Sequence, residues 1–186
     1  MNKGNVLYLS YTGLLEPLGR SQIFSYLKFL STDFNLILIT FEKEEDLANL
    51  ELVTEMESLF HVYGIIWRHL RFHRHPRLLA KIWDISHFYI LVRKICAEHQ
   101  VQLVHCRSYI PSLIGLVNFT LHKIPFIFDM RALWPEELVA SRRIGQNSFY
   151  YKLLKRLEKK VAGKKCRNRK SDASSHSLSD SAVQRC

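Results

Sequence analysis

Short, nearly unbroken apolar runs alternate along this chain with longer stretches in which apolar residues recur every three or four positions. The first run, residues 5–10 (Asn-Val-Leu-Tyr-Leu-Ser), has the pattern of a strand buried on both faces. A loop holding Gly13, Pro17 and Gly19 follows. Then Ile23, Tyr26, Leu27 and Leu30 repeat at helical spacing, with Ser21 placed to cap the helix. Residues 34–41 predict a second strand, 45–59 a charged helix, and 62–67 a third strand. A link rich in arginine and histidine leads into a long helix over residues 76–99, with Leu78, Ile82, Ile85, Tyr89 and Val92 on one predicted face. Residues 101–106 predict strand four, 110–121 a helix, and 125–129 strand five; helices over 136–141 and 149–161 complete the pattern.

Strands alternating with helices at this spacing imply the α/β class, a parallel sheet with helices on both faces. Right-handed crossovers then give a Rossmann-like layered domain. Ligands of such sheets bind at the carboxyl ends of the strands. Residues 11–20, 105–109 and 129–137 lie there, and polar or special residues gather in all three. That layout predicts one cleft fed by three loops.

The 186 residues suit one ordinary domain, here residues 1–162, rather than two. No apolar run reaches the roughly 18 residues of a membrane span. The opening run is too short for a signal peptide, so a cytoplasmic protein is expected. Cys96, Cys106, Cys166 and Cys186 form no Cys-x-x-Cys pair and no zinc-like spacing with histidine, which predicts two buried thiols, two tail thiols and no metal site. The net charge of +10 raises nucleic acid or an anionic membrane as partners. Nucleic acid is not expected, because the basic stretch near residues 68–81 joins no known motif.

The first loop is neither a dinucleotide fingerprint nor a P-loop: Gly13 and Gly19 do not make Gly-x-Gly-x-x-Gly, and no Gly-Lys-Ser/Thr follows. Three segments do carry a resemblance when taken together. They are Val6-Leu7-Tyr8-Leu9-Ser10-Tyr11-Thr12-Gly13 with Glu16-Pro17-Leu18-Gly19-Arg20-Ser21-Gln22, then His105-Cys106-Arg107-Ser108-Tyr109-Ile110-Pro111, then residues 126–137 (Phe-Ile-Phe-Asp-Met-Arg-Ala-Leu-Trp-Pro-Glu-Glu). In this order, over roughly residues 5–161, the chain resembles the amino-terminal domain of family 4 glycosyltransferases of the GT-B fold.

That resemblance implies a retaining transfer of a hexosyl group from a sugar nucleotide to a glycan or lipid-linked acceptor, with no metal or other cofactor. The first of two Rossmann-like domains would grip the acceptor and the second the donor. Gly13 and Gly19 would let the first loop approach the donor phosphates, although turn chemistry explains them equally well. Gln22, like Ser21, would greet an anion at a helix amino terminus. Relatives often carry His-x-His where this chain has His105 and Arg107, and an arginine cannot act as a base. Arg107 therefore suits phosphate or developing negative charge, and His105 a satisfied strand histidine. Ser108 lies in the same loop. Asp129 could orient or deprotonate the acceptor hydroxyl, and Arg131 could hold an acceptor phosphate or carboxylate, unless the two simply pair with each other. Trp134 could stack on a sugar, and Glu136 is a further acceptor-side candidate.

Residues 163–186 break every period and read as a disordered basic, serine-rich tail, six basic residues against two acidic. Relatives continue instead into a strand resembling Ala-Asp/Glu-x-Ile-Val-Ser-Leu-Thr. Back-translated from Lys165 with one choice among the synonymous codons and read one base later, the tail can give Asn-Ala-Glu-Ile-Val-Ser-Leu-Thr-His. A frameshift near Ala162 or Gly163 is therefore expected, leaving a fragment without the donor domain and inactive alone. The alternative is a non-catalytic module that binds an acceptor or, through the basic and aromatic stretch from Trp67 to Lys94, sits peripherally on an anionic membrane surface.

Overall fold

A computed structural model describes residues 3–73 and 77–130. Five strands, β1 (Gly4–Ser10), β2 (Phe34–Glu42), β3 (Ile66–Arg71), β4 (Leu103–Arg107) and β5 (Phe126–Asp129), form one parallel sheet in the order β3-β2-β1-β4-β5. Helices cover both faces, so the α/β, Rossmann-like expectation holds. The strand order reverses between β1 and β4, and ligands of such sheets bind at the carboxyl ends of the strands beside such a switch point.

Strand pleating sends alternate residues to opposite faces. Leu7, Leu9, Ile37, Ile39, Phe41, Val104 and Cys106 pack with Phe88, Val92 and Ile95 of α5 (Arg77–Glu98) and with Ile114 and Leu116 of α6 (Tyr109–His122). Val6, Tyr8, Leu36 and Leu38 pack on the other face. They meet Ile23, Leu27 of α2 (Ser25–Leu30), and Met56 and Phe60 of α4 (Leu50–Val62). Each fully buried Leu, Ile or Phe contributes about 1.5–3 kcal/mol relative to exposure. Packing of this size, rather than helix propensity, holds these helices in place.

Several boundaries differ from the sequence expectation for identifiable reasons. The charged helix is two helices, α3 (Glu44–Leu47) and α4; Asn49 begins the second by accepting a hydrogen bond from the Leu52 amide at 3.2 Å. The third strand starts four residues later than expected. Helix α4 runs through Val62, and Gly64 at φ +64° turns the chain before β3 begins. The first helix starts earlier, at α1 (Pro17–Gly19), and passes through a π turn over Arg20–Phe24 into α2. Ser21 and Gln22 thus lie inside a helical segment rather than at its amino terminus, and the Ser21 hydroxyl donates to the Leu18 carbonyl.

The face expected for α5 is found in part. Val92 is buried and Ile85 and Tyr89 pack against the core, but Ile82 is exposed instead. Ala80, Asp84, Phe88 and Ile95 also point inward, and the Leu78 side chain lies outside the described residues. An acidic residue on the inward arc disguised the rest of this face. Asp84 is buried because it accepts the His73 amide at 3.1 Å and meets His73 Nδ1 at 2.6 Å. Cys96 and Cys106 are buried free thiols; burial pushes both pKa values up, that of Cys96 to about 11. Cys166, Cys186, the helices expected over 136–141 and 149–161, and the tail lie outside the described residues.

Candidate functional site

Parallel pairing sets same-face residues of neighbouring strands side by side. Tyr8 pairs with His105, Ser10 with Arg107, and Arg107 with Asp129. On β2, Thr40 and Glu42 follow the same alternation, since Phe41 between them packs on the opposite face. The carboxyl ends of four strands therefore place Ser10, Thr40, Glu42, His105, Arg107 and Asp129 on the face covered by α1 and α2. Of these, Asp129 alone is half-buried and the rest are buried.

Arg107 is the centre of this row. Its Nη2 donates to Gln22 Oε1 at 2.5 Å, while Nη1 is buried with no hydrogen-bond partner among the described residues. The π turn carries Gln22, and such turns shift side chains out of ordinary helical register. A buried donor left unsatisfied costs about 1–3 kcal/mol, so this guanidinium is short of an acceptor that a ligand oxygen would supply.

His105 stacks against Tyr8 with ring centroids 4.5 Å apart and meets the edge of Tyr26 at 5.8 Å. Its Nε2 lies 3.6 Å from Asp129 Oδ2, beyond hydrogen-bond range. The satisfied histidine expected from sequence is thus corrected: the ring packs well, but Nε2 is buried without a hydrogen bond among the described residues. The Asp129 carbonyl accepts the Ser108 amide at 2.9 Å.

Ser108 sits at φ +74°, ψ −175°, a backbone region that is essentially glycine's. It precedes α6 but gives that helix no side-chain cap; its carbonyl accepts from the Ser112 amide and hydroxyl at 3.2 and 2.7 Å. Strain of about 1–3 kcal/mol is thereby held at the mouth of the crevice, beside Arg107.

The first loop uses its glycines for self-packing. A Cβ at Gly19 would fall 1.9 Å from the Gly13 carbonyl oxygen, and one at Gly13 would fall 2.7 Å from Glu42 Oε2. Neither has a positive φ, so neither supplies the left-handed backbone for which turns most favour glycine. Beneath the loop lies Glu42, fully buried, which sequence reasoning missed. Its carboxylate accepts the amides of Leu14 and Leu15 at 2.8 and 3.1 Å and the Thr40 hydroxyl at 2.5 Å; Trp67 Nε1 donates to Thr40 Oγ1 at 2.9 Å. Burial raises the Glu42 pKa above its ordinary value, against the opposing pull of the Leu14 amide, the Thr40 hydroxyl and the Leu15 amide. Two loop amides that could have met a phosphate are therefore already taken. The available signal was the alternation in Ile39-Thr40-Phe41-Glu42, polar at every second residue within an apolar run.

Behind the loop, burial and then the charge of Asp84 push the Tyr11 phenol up to about 12. Arg131, Trp134 and Glu136 lie outside the described residues, so the third loop enters through Asp129 and Met130 only. Among the described residues no three His, Cys, Asp or Glu side chains group as a metal site would. No helix among them is long and apolar enough to cross a membrane. What the row can do is hold an anionic, hydroxyl-bearing ligand: a guanidinium short of an acceptor, an imidazole, and a half-buried carboxylate.

Fold and site together define a Rossmann-like α/β domain with a row of polar residues at its switch point. No protein-family model and no curated protein matches the chain. Among solved structures, it is similar to one described as AtPrR2 in apo form, at 15% identity and a TM-score of 0.45, over 86% of this chain and 45% of that one. It is also similar to a glycosyltransferase from Rickettsia africae ESF-5, at 17% identity and a TM-score of 0.43, over 74% of this chain and 34% of that one. The chain spans less than half the length of either.

Proposed function

We propose that this chain forms the acceptor side of a retaining glycosyltransferase that moves a hexosyl group from a sugar nucleotide to a glycan or lipid-linked acceptor. The observation that carries the reading is Arg107, buried at the switch point with Nη1 lacking an acceptor and Nη2 held by Gln22. The three loop motifs quoted above support it, because the described parts of all three lie at this one crevice. Arg107 would bind phosphate or the negative charge that develops as the nucleoside diphosphate leaves. Asp129 would take the proton of the acceptor hydroxyl as its oxygen bonds to the anomeric carbon and the bond from that carbon to phosphate breaks. His105 and Ser108 would frame the acceptor, with Arg131, Trp134 and Glu136 contributing from the third loop. Gly13 and Gly19 keep the first loop closed over Glu42. The donor nucleotide would be held by a second domain, and no metal enters this chemistry.

The test starts with the source DNA from codon 155 past codon 186. A second domain is expected in the next frame. The frame-corrected protein should then release nucleoside diphosphate from a sugar nucleotide, and Arg107→Met should lower turnover roughly a hundredfold. The 186-residue chain alone should turn over little or no donor; robust turnover would overturn the fragment reading. If no frame continues and no nucleotide or sugar phosphate binds, the glycosyltransferase reading fails and a non-catalytic binding module replaces it.

A further inference from the structure

We infer that Gln22 is a positioning residue for Arg107: its amide oxygen fixes the guanidinium that meets a ligand phosphate, without itself touching that phosphate. The inference rests on the reading of Arg107 as the anion-binding group of the site. Gln22 is exposed and Arg107 is buried, yet Arg107 Nη2 donates to Gln22 Oε1 at 2.5 Å. Among the described residues this is the guanidinium's only hydrogen bond. Holding a long glutamine side chain in one rotamer costs entropy, and the return here is a fixed orientation for a buried cation.

The local structure makes this contact in register. Gly19, Ile23 and Leu27 are buried beneath the helical segment. Beside them, Gln22 and Tyr26 stand one turn apart and meet alternate residues of β4. Gln22 reaches Arg107, and the Tyr26 ring stands edge-on to His105 at 5.8 Å. The π turn that carries Gln22 widens the helix by one residue and so shifts its side chains relative to β4. Ahead of it, Gly19 packs so closely on the Gly13 carbonyl that no Cβ fits between them, which ties the segment to the first loop. Charge explains the choice of partner. A carboxylate at this position would orient the guanidinium but cancel its charge. A carboxamide oxygen orients it and leaves the positive charge, with Nη1, for the ligand.

The experiment titrates the full chain with inorganic pyrophosphate, following backbone amide and arginine side-chain signals by proton–nitrogen NMR, which reads dissociation constants into the millimolar range. Gln22→Met keeps the length of the side chain and removes the acceptor. It should weaken pyrophosphate binding roughly tenfold while circular dichroism shows the fold unchanged. The Arg107 Nη signals, resolved while the guanidinium is held, should average together in this variant. In an Arg107→Met background the same substitution should change affinity by less than about twofold, because its effect runs through the guanidinium. Equal losses in both backgrounds would make Gln22 a direct ligand contact and overturn the inference. Unchanged binding by Gln22→Met, with binding weakened by Arg107→Met, would sink the inference and leave the anion-binding reading of Arg107 standing. No binding by the unsubstituted chain, or binding indifferent to Arg107→Met, would remove that reading and the inference with it.

Discussion

The two faces of this sheet come from alternate residues of the same strands, yet near the carboxyl ends they are chemically opposite. One face continues apolar to its edge through Leu9, Phe41, Cys106 and Phe128, under α5 and α6. The other turns polar in its last turns, through Ser10, Thr40, Glu42, His105, Arg107 and Asp129. The first is held by packing. The second is held by hydrogen bonds and leaves Arg107 Nη1 and His105 Nε2 short of partners. A sheet can thus keep its stability on one side and its chemistry on the other, because a pleat separates neighbours only one residue apart. Perturbing the apolar face should change stability and leave ligand affinity of the folded fraction alone; removing the charge of Arg107 or Asp129 on the polar face should lower ligand affinity.

The largest effect belongs to the apolar face. Phe88 is fully buried and meets Phe41 edge-on with centroids 5.2 Å apart. Phe88→Ala should cost about 3–5 kcal/mol in urea denaturation. A cost below about 1 kcal/mol would show that this side does not carry the stability. Next come the two close glycine contacts. At Gly19 the obstacle to a Cβ is backbone, the Gly13 carbonyl; at Gly115 it is Cys106 Sγ at 2.6 Å and the Phe126 ring at 2.9 Å. Gly19→Ala should cost about 3 kcal/mol, and Gly115→Ala about 1–2 kcal/mol, since side chains yield more readily than backbone. The reverse order by thermal melting would mean that the loop over Glu42 is softer than its hydrogen bonds suggest.

Glu42 sharpens the comparison through pH. Its folded-state pKa is raised by burial above the ordinary 4.5, so the native state holds its proton more tightly than the unfolded chain does. The stability it contributes is fully present below 4.5 and is lost as pH rises through the raised value. Glu42→Gln keeps an acceptor for the loop amides without the charge. It should cost about 1 kcal/mol in acid and progressively less as pH rises from 4.5. A difference between the two proteins that stays flat or grows over that range would refute a raised pKa.

Much of the fold was legible because its elements differ in period. Residues 5–10, 34–41 and 125–129 were read as strands from unbroken apolar runs, and strands stand there. The errors came where tertiary contacts outweighed pattern. Residues 62–65 read as the start of a strand, yet the helix keeps Val62 on its last turn and Gly64 breaks out of it. The core face of α5 is legible only in part, at Ile85, Tyr89 and Val92, because Asp84 is buried against His73, a partner no periodicity announces. The site was half legible. His105, Arg107 and Ser108 meet Gln22 and Asp129 at one crevice, as three loops after three strands should. Glu42 was overlooked because a lone acid closing an apolar strand usually faces water, and only the inward turn of the Leu14 and Leu15 amides reveals its use.

The smallest predicted effect tests whether the polar face gives up stability for geometry. Ser108 adopts a conformation comfortable only for glycine, and its carbonyl and amide are both engaged, to Ser112 and Asp129. Its side chain gives no cap to α6, so its removal costs that helix no hydrogen bond. Ser108→Gly should therefore relieve strain and raise stability by about 1 kcal/mol, with the greater freedom of glycine in the unfolded chain subtracting part of the gain. If stability falls instead, the serine hydroxyl makes a contact that outweighs the strain. If it rises and affinity for a phosphate-bearing ligand falls, the side chain and not the backbone is what the crevice retains. A rise with affinity unchanged would assign Ser108 to the frame of the crevice, leaving recognition to Arg107 and Asp129 beside it.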